Sequence, residues 1–209
     1  MDYVDGFYAC SGSLVALNEA SLRIFSGQSR KSLIVASSIG SKFISKSCPE
    51  SSCLWGDGAV ALVVETSENP GVLCYKGKGF SESWDAFSLK LDDDGKSYVD
   101  LNGKKIFRTV IEQVPNFVHG FVEEAGYSLD DISCFLFHQA NERMNEKLCE
   151  KLGITSERNC TNVARFGNTS CASIPLAYHE AREKLSKDDL CLMIGFGAAF
   201  HMNCLLYMV

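Results

Sequence analysis

The 209-residue chain has no excess of basic residues: 20 Lys and Arg stand against 26 Asp and Glu, a formal net charge of −6. That balance argues against a general nucleic-acid binder, which carries a basic face. No apolar run reaches the ~18 residues of a membrane span. The opening Met1-Asp2-Tyr3-Val4-Asp5 lacks the basic and apolar regions of a signal peptide. A cytoplasmic protein acting on neither nucleic acid nor membrane is the expectation. Also missing is any CxxC pair. Of ten cysteines the closest two in sequence are Cys48 and Cys53, so a zinc cluster finds little support and no metal site is expected. The thiols read as small buried hydrophobes in a reducing compartment. There is no close internal repeat and no low-complexity linker.

What is present is a layered pattern. The chain is 46% apolar and 22% charged, as in ordinary globular proteins. Leu14, Leu17, Leu22 and Phe25 space a buried helix that ends near Gly27. KSLIVASS (31–38), GDGAVALVVE (56–65) and GVLCYKGKG (71–79) read as strands, the first two fully buried. Residues 81–103, with LDDDGK, read as a polar surface excursion. A long helix follows from Lys105 to Ala125, with Pro115 expected to kink it. ISCFLF (132–137) is a buried strand, Asn141 to Leu152 a helix closed by Gly153, and Ser170 to Leu185 a helix. Two strands, LCLMIGFG and FHMNCLLYMV, close the chain around a turn. Alternation of apolar strands and helices implies an α/β fold with a largely buried, parallel sheet.

Polar groups interrupt these elements in three places. Cys10, in ACSG, opens a helix, where unpaired amides and the dipole favour a thiolate by ~0.3–1 kcal/mol; a buried small residue is the plainer reading. His138, in HQAN, ends an apolar strand, a position where ligands gather and where an imidazole can donate to an oxyanion; a hydrogen-bonded structural histidine is the alternative. Asn168, in GNTS, precedes a helix and equally suits an ordinary N-cap. Gly56-Asp57-Gly58 reads as a structural turn rather than a phosphate cradle.

Cys10, His138 and Asn168 occur in that order, and with WGDGAVALVVE, LNGKKIFR, GNTSCASIPLA and GFGAAF the chain resembles β-ketoacyl-acyl-carrier-protein synthase III, of the thiolase-like condensing-enzyme superfamily. The resemblance implies an α/β, thiolase-like α-β-α-β-α architecture, N-terminally incomplete, because only Met1 to Ala9 precede the nucleophile. Residues 1–80 would be the remainder of the N-terminal half, carrying the cysteine, and 81–209 the C-terminal half, carrying His and Asn. It further implies that Cys10 takes an acyl group from acyl-CoA. His138 and Asn168 would hold the thioester oxygen of malonyl-acyl-carrier protein during decarboxylation and condensation to a β-ketoacyl product. The amides of Cys10 and Ala198 would form an oxyanion hole. Gly103, Phe107, Asn141 and Phe196 would line the substrate tunnel, and Arg108 and Arg143 would dock the carrier protein, unless they belong to a solvated helix face. No cofactor is expected. The chain departs from the family pattern at Ala199 and at His201-Met202-Asn203, changes that would reshape the acyl pocket. Two alternatives stand: an acyltransferase of the same fold that passes the acyl group to another nucleophile, and a non-catalytic fragment or partner subunit. Association as a homodimer, or with a chain supplying the absent N-terminal segment, is the expectation for assembly.

Overall fold

The computed structural model describes residues 4–6, 8–198 and 200–209. Met1 to Tyr3 of the opening and the family departure at Ala199 lie outside the described residues. The strands are β1 Lys31–Ile39, β2 Asp57–Glu65, β3 Val72–Gly79, β4 Phe87–Leu91, β5 Ser97–Leu101, β6 Ile132–Phe137, β7 Leu190–Gly197 and β8 His201–Met208. The α-helices are α1 Gly12–Phe25, α2 Pro49–Ser52, α3 Gly103–Glu124, α4 Glu142–Leu152, α5 Val163–Phe166 and α6 Ser173–Ala181.

A four-stranded sheet of order β3-β8-β7-β6 forms the centre. Its parallel pair, β6 and β7, is apolar on both faces, and the alternation splits the core in two. Phe135, Phe137, Leu192, Ile194 and Phe196 point to one side, where they meet α3 and α4. Cys134, Leu136, Cys191 and Met193 point to the other, where they meet α1 and α6. α1 and α6 also contact the two-stranded sheet β1-β2. The described layers are therefore sheet, helix pair, sheet, helix pair.

Several expectations are corrected. Among the described strands only β6 and β7 pair in parallel; β1-β2, β3-β8 and β4-β5 are antiparallel, as is β7-β8, where the closing strands form a hairpin. β1 and β2 are not buried on both faces. Ile34 and Ala36 face the helices, whereas Leu33, Val35, Ile39 and Val63 are exposed on the outer face. Leu22 and Phe25 of α1 are likewise exposed. β3 precedes residue 80 yet hydrogen-bonds to β8 in the central sheet. Pro115 lies inside α3, which continues through it to Glu124, and α4 closes on Gly153 as expected, in the left-handed region (φ 67°).

Residues 81–103 are more than a surface excursion. A 3-10 turn at Ser81–Ala86 and the β4-β5 hairpin lay Ser83, Ala86, Phe87 and Leu101 over a cavity at the ends of β6 and β7.

Candidate active site

Cys10 sits in a 3-10 turn, Ala9–Ser11, that runs directly into α1. Ala9 has φ +46°, a left-handed conformation costing a non-glycine residue roughly 1–2 kcal/mol, and tertiary packing holds it there. Two glycines of β7 make the seat. A Cβ on Gly195 would lie 2.7 Å from the Ser11 Cβ, and one on Gly197 would lie 3.2 Å from the Cys10 nitrogen. The nucleophile's turn therefore rests on the backbone of β7.

The thiol is buried. Burial raises its pKa from 9.0 to about 11, against a hydrogen bond from the Ser170 hydroxyl, whose oxygen is 3.7 Å from Sγ. That rise is ~3 kcal/mol, which exceeds the ~0.3–1 kcal/mol from a helix terminus. The expectation of a dipole-favoured thiolate is thus corrected: desolvation wins, and the resting group is a neutral thiol.

His138 follows β6. Its N–H donates to the Ile194 carbonyl (2.8 Å), which carries the β6-β7 pairing one residue further. Its ring stands edge-on to Phe196, with centroids 5.3 Å apart, and Nδ1 lies 2.8 Å from the Ser173 hydroxyl. Burial pulls its pKa down to about 3, so the imidazole is neutral. The Ser173 hydroxyl lies 2.7 Å from the Ser170 carbonyl. It donates to that carbonyl, and Nδ1–H then donates to the Ser173 oxygen, which leaves Nε2 as an acceptor. When Ser173 instead donates to His138 Nδ1, Nε2 carries the ring hydrogen and becomes a donor.

Asn168 is held from both sides. Its N–H donates to the Leu54 carbonyl (2.8 Å), and its own carbonyl accepts from Gly56 N–H (3.0 Å). The side-chain Oδ1 accepts from Ser170 N–H (2.8 Å), an Asx turn one residue ahead of Thr169, which holds the N-cap position expected of Asn168, and Nδ2 is the end left to donate. A Cβ on Gly56 would fall 1.8 Å from the Phe166 carbonyl oxygen. Only glycine lets the turn before Asn168 lie against β2. Asp57 accepts from the backbone and hydroxyl of Ser41, which lower its pKa. The GDG turn is structural.

Cys10, His138 and Asn168 line one cavity of about 120 Å³. Gly103, Phe107, Asn141, Phe196 and Ala198 line it too, as do Trp55, Ile106, Met144 and Phe200, for which no role of their own was expected from the sequence. Asn141 also caps α4, accepting from Met144 N–H at 2.9 Å. Arg108 and Arg143 do not line the cavity. They are exposed on α3 and α4, beside the lining residues Phe107 and Asn141.

Gln139, the second residue of HQAN, is fully buried. Its Nε2 donates to the Phe137 carbonyl (2.7 Å), and its Oε1 accepts from the Thr161 hydroxyl and from the amides of Asn162 and Val163. The strand end carrying His138 is thereby tied to the segment leading to Asn168. A glutamine two residues past an apolar strand was the available signal.

Comparison with known proteins places the chain by sequence and by fold. The family model described as 3-oxoacyl-[acyl-carrier-protein] synthase III matches residues 4–78, and that of its C-terminal part matches 122–209. The chain is 35% identical over 202 residues to β-ketoacyl-[acyl-carrier-protein] synthase III 2 of Staphylococcus epidermidis, covering 90% of this chain and 61% of that protein. It is 36% identical over 203 residues to the synthase III of a Roseiflexus species, covering 90% and 62%. The crystal structure of 3-oxoacyl-[acyl-carrier-protein] synthase III from Aquifex aeolicus superposes with a TM-score of 0.87 at 31% identity, over 96% of this chain and 65% of that one. The chain thus spans less than two thirds of each of these relatives. By its sequence matches along both halves and by its thiolase-like fold, the chain belongs to the 3-oxoacyl-[acyl-carrier-protein] synthase III family.

Proposed function

We propose that this chain carries the condensing machinery of an acyltransferase that joins an acyl-CoA primer to malonyl-acyl-carrier protein. The observation that carries the reading is the convergence of Cys10, His138 and Asn168 on one small cavity. In the first step Cys10 Sγ attacks the acyl-CoA carbonyl, the C–S bond to CoA breaks, and the thiol proton ends on the CoA leaving group. The amides of Cys10 and Ala198 take the oxyanion. In the second step the malonyl thioester loses CO₂, and its C–C bonding pair becomes an enolate. Donors from His138 Nε2 and Asn168 Nδ2 hold the enolate oxygen, each contributing about 3–4 kcal/mol where well aimed. The enolate carbon then attacks the acyl-Cys10 thioester, giving the β-ketoacyl-carrier product and a Cys10 thiolate that takes up a proton. A neutral histidine suits this role, since it donates without delivering its ring proton.

Arg108 and Arg143 supply positive charge beside the cavity for an acidic carrier protein. The ten free cysteines suit a reducing, cytoplasmic setting. For assembly we retain a homodimer, or a second chain beside the Cys10 half, since apolar residues lie open on β1-β2.

The test separates the two steps. Acetyl-CoA should add an acetyl group to Cys10, seen by peptide mass spectrometry, and malonyl-carrier should then release CO₂. His138→Ala and Asn168→Ala should keep acylation while losing about 100-fold or more of CO₂ release. Transfer to another nucleophile predicts acylation without CO₂ release in the unaltered chain, and a non-catalytic role predicts neither.

A further inference from the structure

Behind the nucleophile lies a polar chain that the condensation mechanism does not use. β8 begins with His201, and His201, Asn203 and Leu205 share the face that looks toward α1, where an apolar strand would normally place hydrophobes. His201 Nδ1 lies 2.9 Å from the carbonyl oxygen of Ala198. A carbonyl only accepts, so Nδ1 carries the ring hydrogen and Nε2 is the acceptor. Ser11 Oγ lies 2.5 Å from Nε2 and donates to it. The serine oxygen in turn accepts from Asn203 Nδ2–H at 2.9 Å, and Asn203 Oδ1 accepts from the Tyr75 hydroxyl. Every hydrogen in the chain points the same way, from Tyr75 through Asn203, Ser11 and His201 to Ala198. Ser11 is fully buried and Asn203 nearly so.

The two ends of the His201 ring grip two specific places. Ser11 follows Cys10 in the chain, and Ala198 supplies the second amide of the oxyanion hole. We propose that His201 is a positioning residue for the acylation step: it bridges the nucleophile's turn and the β7-β8 turn, fixing the Cys10 and Ala198 amides relative to each other. The inference rests on the acyl-transfer reading of Cys10. It assigns a role to one of the positions where this chain departs from its family's pattern. A misplacement of about 1 Å in such a pair lowers rate by about 100-fold.

The test compares two reactions of the same sulfur in the full chain. Acylation by acetyl-CoA builds an oxyanion; alkylation by iodoacetamide does not. His201→Ala should slow acylation by about 10- to 100-fold and leave the alkylation rate unchanged. The infrared carbonyl band of the ¹³C-acetyl-Cys10 thioester should move to higher frequency as its hydrogen bonds weaken. His201→Asn, whose Nδ2 takes the place of Nδ1 toward Ala198, should recover part of the acylation rate and of the band position. It also serves as the test variant where His201→Ala does not fold. Equal slowing of both reactions, or an unmoved band, would overturn the positioning role. Failure of the unaltered chain to acylate at Cys10, while iodoacetamide still labels it, would instead overturn the acyl-transfer reading and this inference with it.

Discussion

Raising the pH should speed alkylation of Cys10 about tenfold per unit from pH 7 to pH 10, without a plateau. The perturbation acts on the thiolate fraction, since only the thiolate reacts. With its pKa pushed to about 11, the group is ionised to only about one part in ten thousand at pH 7. Four influences set the value, the smallest being a backbone hydrogen bond at Cys10 itself that lowers it. Burial raises it most, Ser170 lowers it by hydrogen bonding, and the neighbouring Cys171 raises it slightly. Ser170→Ala removes the hydroxyl from the sulfur and should slow alkylation at a given pH by roughly tenfold, the lower range for a hydrogen bond to a charged group. The assay is a timed iodoacetamide pulse at each pH, quenched and read on the Cys10 peptide, with the urea-unfolded chain as reference. A plateau at or below pH 8.5, or faster reaction in Ser170→Ala, would refute the claim that desolvation outweighs the helix terminus here. The same shift has a stability consequence. The folded state holds this proton more tightly than the unfolded state does. Its contribution is complete below pH 9 and declines as pH rises from 9 towards 11.

His138 gives the opposite limb. Its folded pKa of about 3 lies below an unfolded 6.5, so its contribution is present above pH 6.5 and lost on acidification, by about 1.4 kcal/mol per pH unit and about 5 kcal/mol by pH 3. Urea titrations from pH 7 to 4 should show that slope, His138→Gln should flatten it, and identical slopes would contradict the assignment. Gln139→Leu should strand the Thr161, Asn162 and Val163 donors. A cost of about 3 kcal/mol and a fall of about 10 °C in Tm are expected by calorimetry, and a loss under about 1 kcal/mol would sink the tie between motifs. Charge reversal at Arg108 or Arg143 should weaken use of malonyl-carrier and its salt dependence while sparing a small malonyl thioester; equal effects on both donors would remove the docking idea.

The central sheet was legible because period-two alternation of uniformly apolar residues reports burial on both faces. Phe135 and Phe137 read as buried in ISCFLF, and they are. The same run type misleads in β1, where Leu33 and Val35 are apolar yet open, since a run of hydrophobes does not say which face has a neighbour. The 81–103 segment was misjudged for a related reason. Its charges, such as Asp93 and Asp94, turn outward, while Phe87 and Leu101 turn to the cavity, and composition averages the two.

The chemistry of the site divides in the same way. Which groups serve was readable in order along the chain, because a thiol at a helix start, a histidine at a strand end and an asparagine at a turn are local arrangements. Their charge states were not. A neutral Cys10 and a neutral His138 follow from desolvation by residues far away in sequence, as does the left-handed Ala9 held against β7. His201 stood out in the sequence only as an oddity near the end. That it meets Ser11, 190 residues earlier, depended on the packing of α1 against the β7-β8 hairpin, since a hydrogen bond between distant residues exists only once the backbone has brought them within 3 Å.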